Sequence, residues 1–192
     1  MRYPPDQKAA ARQAIVQAGA RALRENGFNG IGVDGLAASA GVTSGAFYSN
    51  FSNKEALLEQ VIATCLGEPF IDSASGSLAE RKQRLKQWLA MYISAAHRED
   101  PASGCVMPTL SADVARSNPQ IRAAYKRKMV TLIHRMSNVL GVAGSGREER
   151  AWSIVAIMIG AIAISRAMPD GEEADQALDS ALQTATALVA PK

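Results

Sequence analysis

Residues 33–54, VDGLAASAGVTSGAFYSNFSNK, decide the fold that we expect for this chain. Two short segments with helical apolar periodicity, residues 33–40 and 44–50, are separated by three residues that begin with glycine. That connection fits a helix-turn-helix. Phe47 and Phe51 are four residues apart, so they share one helix face and hold the second helix down from behind. The other positions of this helix are small or polar, which lets them lie close to a nucleic-acid groove and hydrogen-bond there.

The composition favours an all-α protein. The chain has 192 residues, enough for a sizeable core, and 47% of them are hydrophobic with much alanine. Long intervals without proline favour helices. The net charge is +3, and residues 1–54 hold six Lys or Arg against three Asp or Glu, so the whole basic excess accompanies the opening motif. This mild bias fits a phosphate partner, but a solvated helical surface shows it as often.

Cysteine usage and hydropathy favour a cytoplasmic protein. Cys65 and Cys105 are forty residues apart without metal-type spacing, so we expect no disulfide framework. The most apolar run, residues 154–164, is too short to span a bilayer, and we interpret it as a buried helix. His97 and His134 are isolated, which gives no support to a metal site, and no cofactor is expected. No Ser/His/Asp or paired-carboxylate arrangement indicates an enzyme.

The periodicity predicts about nine helices. They span roughly residues 7–26, 33–40, 44–50, 53–66, 77–98, 104–115, 118–140, 147–167 and 172–190. Ser52 and Glu55 have the spacing of a capping box at the start of the fourth helix. Lys54 falls in the first turn of that helix, where a cation opposes the helix dipole. An external anion therefore explains Lys54 better than a local stabilising role does.

The N-terminal third resembles the DNA-binding domain of the TetR/AcrR family of bacterial transcriptional regulators. Residues 22–62, ALRENGFNGIGVDGLAASAGVTSGAFYSNFSNKEALLEQVI, are similar to that family's three-helix domain and the start of its linking helix. The family motif Gly-x-(Phe/Leu)-Tyr-x-(His/Tyr/Asn)-Phe-x-x-Lys occupies residues 45–54. Residues 103–125 resemble a subgroup that includes NemR-like and AcuR-like regulators. The resemblance implies a three-helix helix-turn-helix domain, residues 1–52, and a helical effector-binding and dimerisation domain, residues 53–192.

The resemblance also implies a DNA-binding surface. The second helix of the motif would enter the major groove, and Tyr48 and Lys54 match positions that bind backbone phosphate. The expected DNA-binding residues are Val33, Thr43, Ser44, Gly45, Ala46, Tyr48, Ser49, Asn50 and Lys54. No arginine in this helix offers the usual guanine contact, so the bases it reads do not follow. A homodimer would place two such helices about 34 to 36 Å apart, which predicts a palindromic double-stranded DNA operator.

An apolar pocket is expected in the C-terminal part for a small-molecule effector. Its candidate lining is Trp88, Met91, Tyr92, Cys105, Met107, Leu110, Tyr125, Met129 and Trp152. Each of these side chains also suits ordinary core packing. Cys105 has two interpretations. Helix amides could lower its thiol pKa and favour attack on electrophiles, a response known in the resembled subgroup, or it is a buried packing residue.

The last two helices are apolar on more than one side, so one face can enter the core while another meets a second copy of the chain. The candidate dimer contacts are Trp152, Val155, Ile159, Ala181, Leu182 and Ala185. We therefore expect a cytoplasmic homodimeric repressor that a small molecule or electrophile releases from DNA, with no membrane partner. The alternatives are a helical small-molecule-binding protein or enzyme with a vestigial DNA-binding fold, and an activator or protein-tethered regulator.

Overall fold

A computed structural model describes residues 5–67, 75–141 and 146–189, and all regular secondary structure in these ranges is α-helix. The expected all-α class is confirmed. Ten helices follow one another along the described chain: α1 Pro5–Asn26, α2 Val33–Ser39, α3 Ser44–Asn50, α4 Lys54–Cys65, α5 Leu78–Tyr92, α6 Ala95–Glu99, α7 Met107–Ala115, α8 Pro119–Leu140, α9 Arg147–Ala167 and α10 Glu172–Val189.

The expected helix over residues 77–98 is wrong, because it is two helices. α5 ends at Tyr92, and Ser94 then begins α6 as its N-cap, with its hydroxyl oxygen accepting the His97 N–H at 3.2 Å. The same hydroxyl donates to the Met91 carbonyl at 2.8 Å. Serine thus offers the backbone an alternative to continued helix, which apolar periodicity alone does not reveal.

The cap of α4 also differs from the expectation. Asn53, not Ser52, is the N-cap, and its side-chain oxygen accepts the Ala56 N–H at 2.8 Å. Asparagine and serine are comparable N-caps, so two adjacent candidates cannot be separated by propensity. A true capping box opens α5, where Ser77 and Glu80 bond reciprocally. The backbone and hydroxyl bonds from Ser77 lower the pKa of the Glu80 carboxyl.

The chain divides into two compact units. The first comprises Met1–Glu68 and Pro101–Lys128, and the second comprises Pro69–Asp100 and Met129–Lys192. The division reflects which parts of the chain pack compactly, and α4 and α7 belong to the same unit as the first three helices. The expected functional boundary between residues 52 and 53 stays a prediction.

In the first unit, α1 packs against α2, α4 and α7, and α2 packs against α3. Its core is a set of fully buried apolar side chains: Ile15, Val16, Leu23, Leu36, Phe47, Leu57, Leu58, Val61 and Ile62. Their burial removes the apolar stripes of α1, α2, α3 and α4 from water, which is the main favourable term in folding. The helix-turn-helix therefore packs against α1, which also contacts α4.

In the second unit, α10 packs along α9 and against α5, and α6 packs against α9. A polar network joins these helices at the end of α6. The side chain of Arg98 is only 8% exposed and lies 2.8 Å from Asp175 on α10. Arg166 on α9 donates to the backbone carbonyls of His97 and Arg98 at 2.5 and 3.1 Å. A buried guanidinium needs such partners, because an unpaired charge in the interior is costly.

The length argument applied to the apolar run in α9 is wrong. The helix has 21 residues and contains an 18-residue window with a mean hydropathy of 1.4, so by length and composition alone it could cross a membrane. Such a helix also suits a protein core. Ile154, Val155, Met158 and Ile162 are buried within the chain, so packing, rather than length, favours a core helix.

Candidate nucleic-acid interface

The helix-turn-helix forms where the sequence predicts it. Gly41 has φ +67°, in the left-handed region that favours glycine, and its N–H donates to the Ala38 carbonyl at 3.0 Å. This ends α2. Thr43 then caps α3, with its hydroxyl oxygen accepting the Ala46 N–H at 3.2 Å. A glycine stop and a threonine cap within three residues produce the sharp turn between the two helices.

The rear of α3 is anchored as expected. Phe47 and Phe51 are 0% and 2% exposed, and their ring centroids are 5.7 Å apart. Spacing of four residues brings both rings to one side of the helix, where they enter the core of the first unit. The opposite face of α3 is consequently directed to solvent.

The outward face of α3 is exposed to solvent. Thr43, Gly45, Tyr48 and Ser49 are exposed, and Tyr48 retains 55% of its surface. A Cβ built on Gly45 would meet only the Thr43 hydroxyl, at 3.8 Å, so internal packing does not require glycine there. The absence of a side chain instead leaves room for another molecule to approach the backbone.

The remaining expected contact residues are partly engaged within the protein. Val33, Ser44, Ala46 and Asn50 are half-buried. The Ser44 hydroxyl donates to the Asp34 carboxylate at 2.5 Å, which joins α3 to α2. The Ser49 hydroxyl and the Asn50 amide both donate to the Ala46 carbonyl, at 2.7 and 2.9 Å. To contact a base as donors, these groups would exchange an internal bond for an external one.

Lys54 has a local role, contrary to the argument from the helix dipole. Its ammonium donates to the carbonyls of Phe28 and Ile31, at 2.6 and 3.0 Å, and lies 4.2 Å from the centroid of the Phe28 ring. These partners come from the loop before α2, 23 and 26 residues away, and so were invisible to a local argument. Two of the three ammonium protons are used, so a phosphate contact at Lys54 stays a prediction that depends on the third.

Arg12 is a supporting residue that the sequence did not reveal. Its guanidinium lies over the Phe51 ring and donates to the Asn50 carbonyl and, at 3.3 Å, to the Gln60 side-chain oxygen. It therefore connects α1 to the end of α3 and to α4. A cation at a helix C-terminus is favourable because it faces the negative end of the dipole. From the sequence alone, Arg12 was expected only to lie on a polar face of α1.

The expected effector residues of the first unit are Cys105, Met107, Leu110 and Tyr125. Met107 and Leu110 are buried, while Cys105 and Tyr125 are half-buried. The Cys105 sulfur accepts the Met107 N–H at 3.5 Å. The Tyr125 hydroxyl is 2.6 Å from the Ser111 hydroxyl, and burial raises its pKa while that bond acts in the opposite direction. This part of the first unit thus offers buried apolar side chains, Met107 and Leu110, and a pair of hydroxyl groups, from Tyr125 and Ser111.

The expected effector residues of the second unit are Trp88, Met91, Tyr92, Met129 and Trp152. The rings of Trp88 and Tyr92 are 5.4 Å apart, and Tyr92 and Met129 are buried. Met91 is 66% exposed and Trp152 47% exposed. The structure therefore brings Trp88 and Tyr92 together, whereas Met91 and Trp152 are surface side chains of the chain as it stands.

A cleft of about 210 Å³ opens in the first unit, and none of the expected effector residues lines it. It is lined by Phe28, Asn29, Glu55, Asp113, Arg116, Ser117, Asn118 and Ile121. None of these residues was expected to line a pocket, because they come from the α1–α2 loop, the start of α4 and the α7–α8 junction. Among the residues that the structure describes, no three His, Cys, Asp or Glu side chains are grouped to hold a metal ion.

Two of the expected dimer contacts are wrong. Val155 and Ala185 are 1% and 0% exposed and belong to the core of the second unit, where α9 packs along α10. Because each of these helices is apolar on more than one side, its sequence periodicity does not show which side faces the core. Ile159, Ala181 and Leu182 are half-buried, and Trp152 is exposed, so these four retain surface for a partner.

The anchored, exposed second helix and the glycine turn before it form a helix-turn-helix, a motif that many DNA-binding proteins use. Comparison with known proteins agrees: residues 15–61 match the family model described as "Bacterial regulatory proteins, tetR family". Residues 15–61 are therefore similar to the DNA-binding part of that family of regulators.

Two curated relatives extend the likeness. The chain is 31% identical over 121 residues to the transcriptional regulator AcuR of Cereibacter sphaeroides, covering 59% of this chain and 53% of that protein. It is 29% identical over 119 residues to the HTH-type transcriptional repressor DhaR of Mycobacterium sp. strain GP1, covering 60% of this chain and 58% of that protein. The matches thus span just over half the length of these relatives.

Solved structures share the fold over nearly the whole chain. The reduced form of E. coli NemR is 22% identical, with a TM-score of 0.63 over 94% of this chain and 97% of that one. A TetR-family transcriptional regulator from Cytophaga hutchinsonii is 19% identical, with a TM-score of 0.72 over 98% and 96%. At such identities the likeness establishes the fold.

Proposed function

We propose that this protein is a DNA-binding transcriptional regulator, acting as a repressor that an effector releases from a palindromic operator. The observation that carries the proposal is the outward face of α3, where Tyr48 stands 55% exposed beside the unfilled space at Gly45. Tyr48 is a large aromatic side chain that remains exposed to water, and internal packing does not require a glycine at position 45. Both features fit a helix that closely approaches a DNA groove. Tyrosine can also donate to a phosphate oxygen.

The residues in contact with DNA would be those expected from the sequence, with different weights. Thr43, Gly45, Tyr48 and Ser49 are exposed and would make the direct contacts. Ser44, Ala46 and Asn50 are half-buried and would contribute at the edge of the contact. Val33 begins α2, whose cap residue Gly32 provides no side-chain hydrogen bond. The backbone N–H groups there would be available to a phosphate.

The protein would act as a dimer through α9 and α10. Trp152, Ile159, Ala181 and Leu182 retain surface, and Trp152 is a large apolar side chain that is 47% exposed. Aromatic anchors of this kind are enriched in protein interfaces. Two copies would present two α3 helices to successive turns of DNA. The site of action would be the cytoplasm, and the family of transcriptional regulators gives no reason to propose an enzyme.

The effector would be a small molecule bound among the apolar side chains of the C-terminal part. A reactive-thiol response is a second candidate for the signal, and the position of Cys105 favours it. Its sulfur accepts the Met107 N–H at the first residue of α7, an interaction that would stabilise a thiolate. Mass spectrometry after treatment with a quinone tests this: an adduct on Cys105, with loss of the DNA response in Cys105→Ser, supports it. A wild-type response in that variant favours the packing role.

The DNA-binding proposal is tested by gel shift with the region upstream of the protein's own gene. Tyr48→Ala should weaken binding, while Tyr48→Phe, which keeps the ring and removes the hydroxyl, separates packing on DNA from hydrogen bonding. Wild-type affinity in Tyr48→Ala at fixed salt contradicts the proposed contact surface. Failure of the wild-type protein to shift any upstream fragment favours the alternative of a helical small-molecule-binding protein or enzyme with a vestigial DNA-binding fold.

A further inference from the structure

The loop between α1 and α2, residues 27–32, determines where the helix-turn-helix begins. Gly27 ends α1 with φ +69°, and its N–H donates to the Leu23 carbonyl at 2.9 Å. A Cβ built on Gly30 would lie 2.1 Å from the Asn26 carbonyl oxygen, a distance no side chain tolerates. The loop therefore follows a tight path that only glycine permits, and α2 starts directly after it.

Asp113 on α7 holds this loop from outside the helix-turn-helix. Its Oδ2 accepts the Phe28 N–H at 2.9 Å, across 85 residues of sequence, and its Oδ1 accepts Arg116 at 2.9 Å. Asp113 is only 9% exposed. A carboxylate this buried must be hydrogen-bonded to be tolerated, and the Phe28 amide is the partner of its Oδ2.

Residues 102–113, the segment that ends with Asp113, also hold the end of α1 by two further hydrogen bonds. The Thr109 hydroxyl donates to the Arg24 carbonyl at 3.2 Å, and the Arg24 Nε donates to the Ala102 carbonyl at 2.7 Å. Residues 102–113 and residues 24–28 are therefore joined at three places. Lys54 holds the loop from α4, through the Phe28 and Ile31 carbonyls. The loop is thus fastened by its amide to α7 and by its carbonyls to α4.

We propose that Asp113 is a positioning residue for DNA recognition: through the Phe28 amide it sets the loop from which α2 and α3 project. This rests on the proposed function. Recognition of base edges requires the reading helix to be held to within a fraction of an ångström, whereas contacts to the phosphate backbone of arbitrary DNA tolerate displacement. Asp113 itself would touch no DNA. Its loss would therefore reduce the preference for the operator more than it reduces affinity for DNA in general.

Three variants test this assignment. Asp113→Ala removes the acceptor of the Phe28 amide. Asp113→Asn keeps a side-chain oxygen that can accept it. Arg116→Ala removes only the ion pair, from a side chain that is 65% exposed, and is the matched control. The affinity of each variant is measured by fluorescence anisotropy at one salt concentration. The two probes are the upstream duplex that the wild-type protein binds in the gel shift and a scrambled duplex of equal length.

Asp113→Ala should bind the operator about tenfold more weakly, equivalent to about 1.4 kcal/mol, and the scrambled duplex as the wild type does. Asp113→Asn and Arg116→Ala should stay near wild type for both. Hydrogen–deuterium exchange of residues 27–32 should accelerate in Asp113→Ala and not in Arg116→Ala. If Asp113→Ala does not fold, Thr109→Val, which removes the hydroxyl and preserves the volume, should lower operator affinity about threefold.

Wild-type operator affinity in Asp113→Ala, or in Thr109→Val where the former does not fold, overturns the positioning role. So does an equal loss for operator and scrambled DNA, because that result reports general damage to the fold. Failure of Asp113→Asn to restore the preference overturns it as well. If the wild-type protein does not distinguish the two duplexes, the proposed function itself fails. The exchange measurement then still reports whether Asp113 holds the loop.

Discussion

The guanidinium carbon of Arg12 lies 4.0 Å from the centroid of the Phe51 ring. Phe51 follows the last residue of α3 and is buried beneath the helix, while Arg12 projects from α1. The contact therefore fixes the buried side of α3 to α1, the first helix of the described chain. Arg12 also donates to the Asn50 carbonyl, so both the ring and the backbone at the end of α3 have a partner on α1.

Arg12→Ala should lower the free energy of unfolding by about 1–2 kcal/mol, because it removes a cation–ring contact and a hydrogen bond to a helix-end carbonyl. Urea denaturation monitored by circular dichroism measures the change. Lys8→Ala, one turn earlier on the same helix and exposed, is the control and should change little. Equal stability of Arg12→Ala and Lys8→Ala would show that the Arg12 contacts contribute nothing measurable.

Lys54→Met should have two separate effects. Loss of the bonds to the Phe28 and Ile31 carbonyls should destabilise the fold by about 1–3 kcal/mol, since both acceptors lose a charged donor. If Lys54 also contacts phosphate, the slope of log affinity against log salt should fall by about 1 per contact.

The two effects of Lys54→Met are measured independently, by urea denaturation and by DNA titration across a salt series. An unchanged salt slope together with lower stability would leave Lys54 with only its role in the loop. An unchanged stability would contradict the importance of the two carbonyl bonds.

His97 should make stability depend on pH on the acid side. Burial lowers its pKa from the ordinary 6.5, although the Tyr92 carbonyl that its ring contacts acts in the opposite direction. Because the folded pKa is depressed, the unfolded chain takes up the proton first. Stability is then complete above about pH 6.5 and is lost as the pH falls from there towards the lower folded pKa.

Thermal unfolding of the wild type and His97→Gln between pH 5 and 8 checks this expectation. The variant should lose less stability on acidification than the wild type, whatever its stability at pH 8. Parallel curves for the two proteins would exclude His97 as the source of the pH dependence.

Trp152→Glu should dissociate the proposed dimer, since it replaces a large apolar side chain that is 47% exposed on α9 with a charged one. Analytical ultracentrifugation should show a monomer, with weaker DNA binding at the same protein concentration. Val130→Glu, at a similarly exposed apolar position on α8, is the matched control and should stay dimeric. A dimer that survives Trp152→Glu would remove Trp152 from the interface.

The sequence predicted the first unit closely where the signals are local. α2 and α3 lie at the expected positions because a glycine stop, a threonine cap and two phenylalanines four residues apart act within twenty residues. Local signals misled where two neighbours could do the same work, as with Ser52 and Asn53. They also misled where Ser94 interrupts an otherwise continuous apolar pattern.

By itself the sequence determined the helical class, the position of the helix-turn-helix and the side of α3 that is buried, since helical periodicity places residues on faces. Only the tertiary structure decided which polar side chains are engaged. Arg12 and Lys54 find their hydrogen-bond partners, and Asp113 finds the Phe28 amide, 23 to 85 residues away. Such contacts depend on how helices pack, and packing also decided that Val155 and Ala185 belong to the core. Residue type and local spacing do not show which residues far apart in the sequence come into contact.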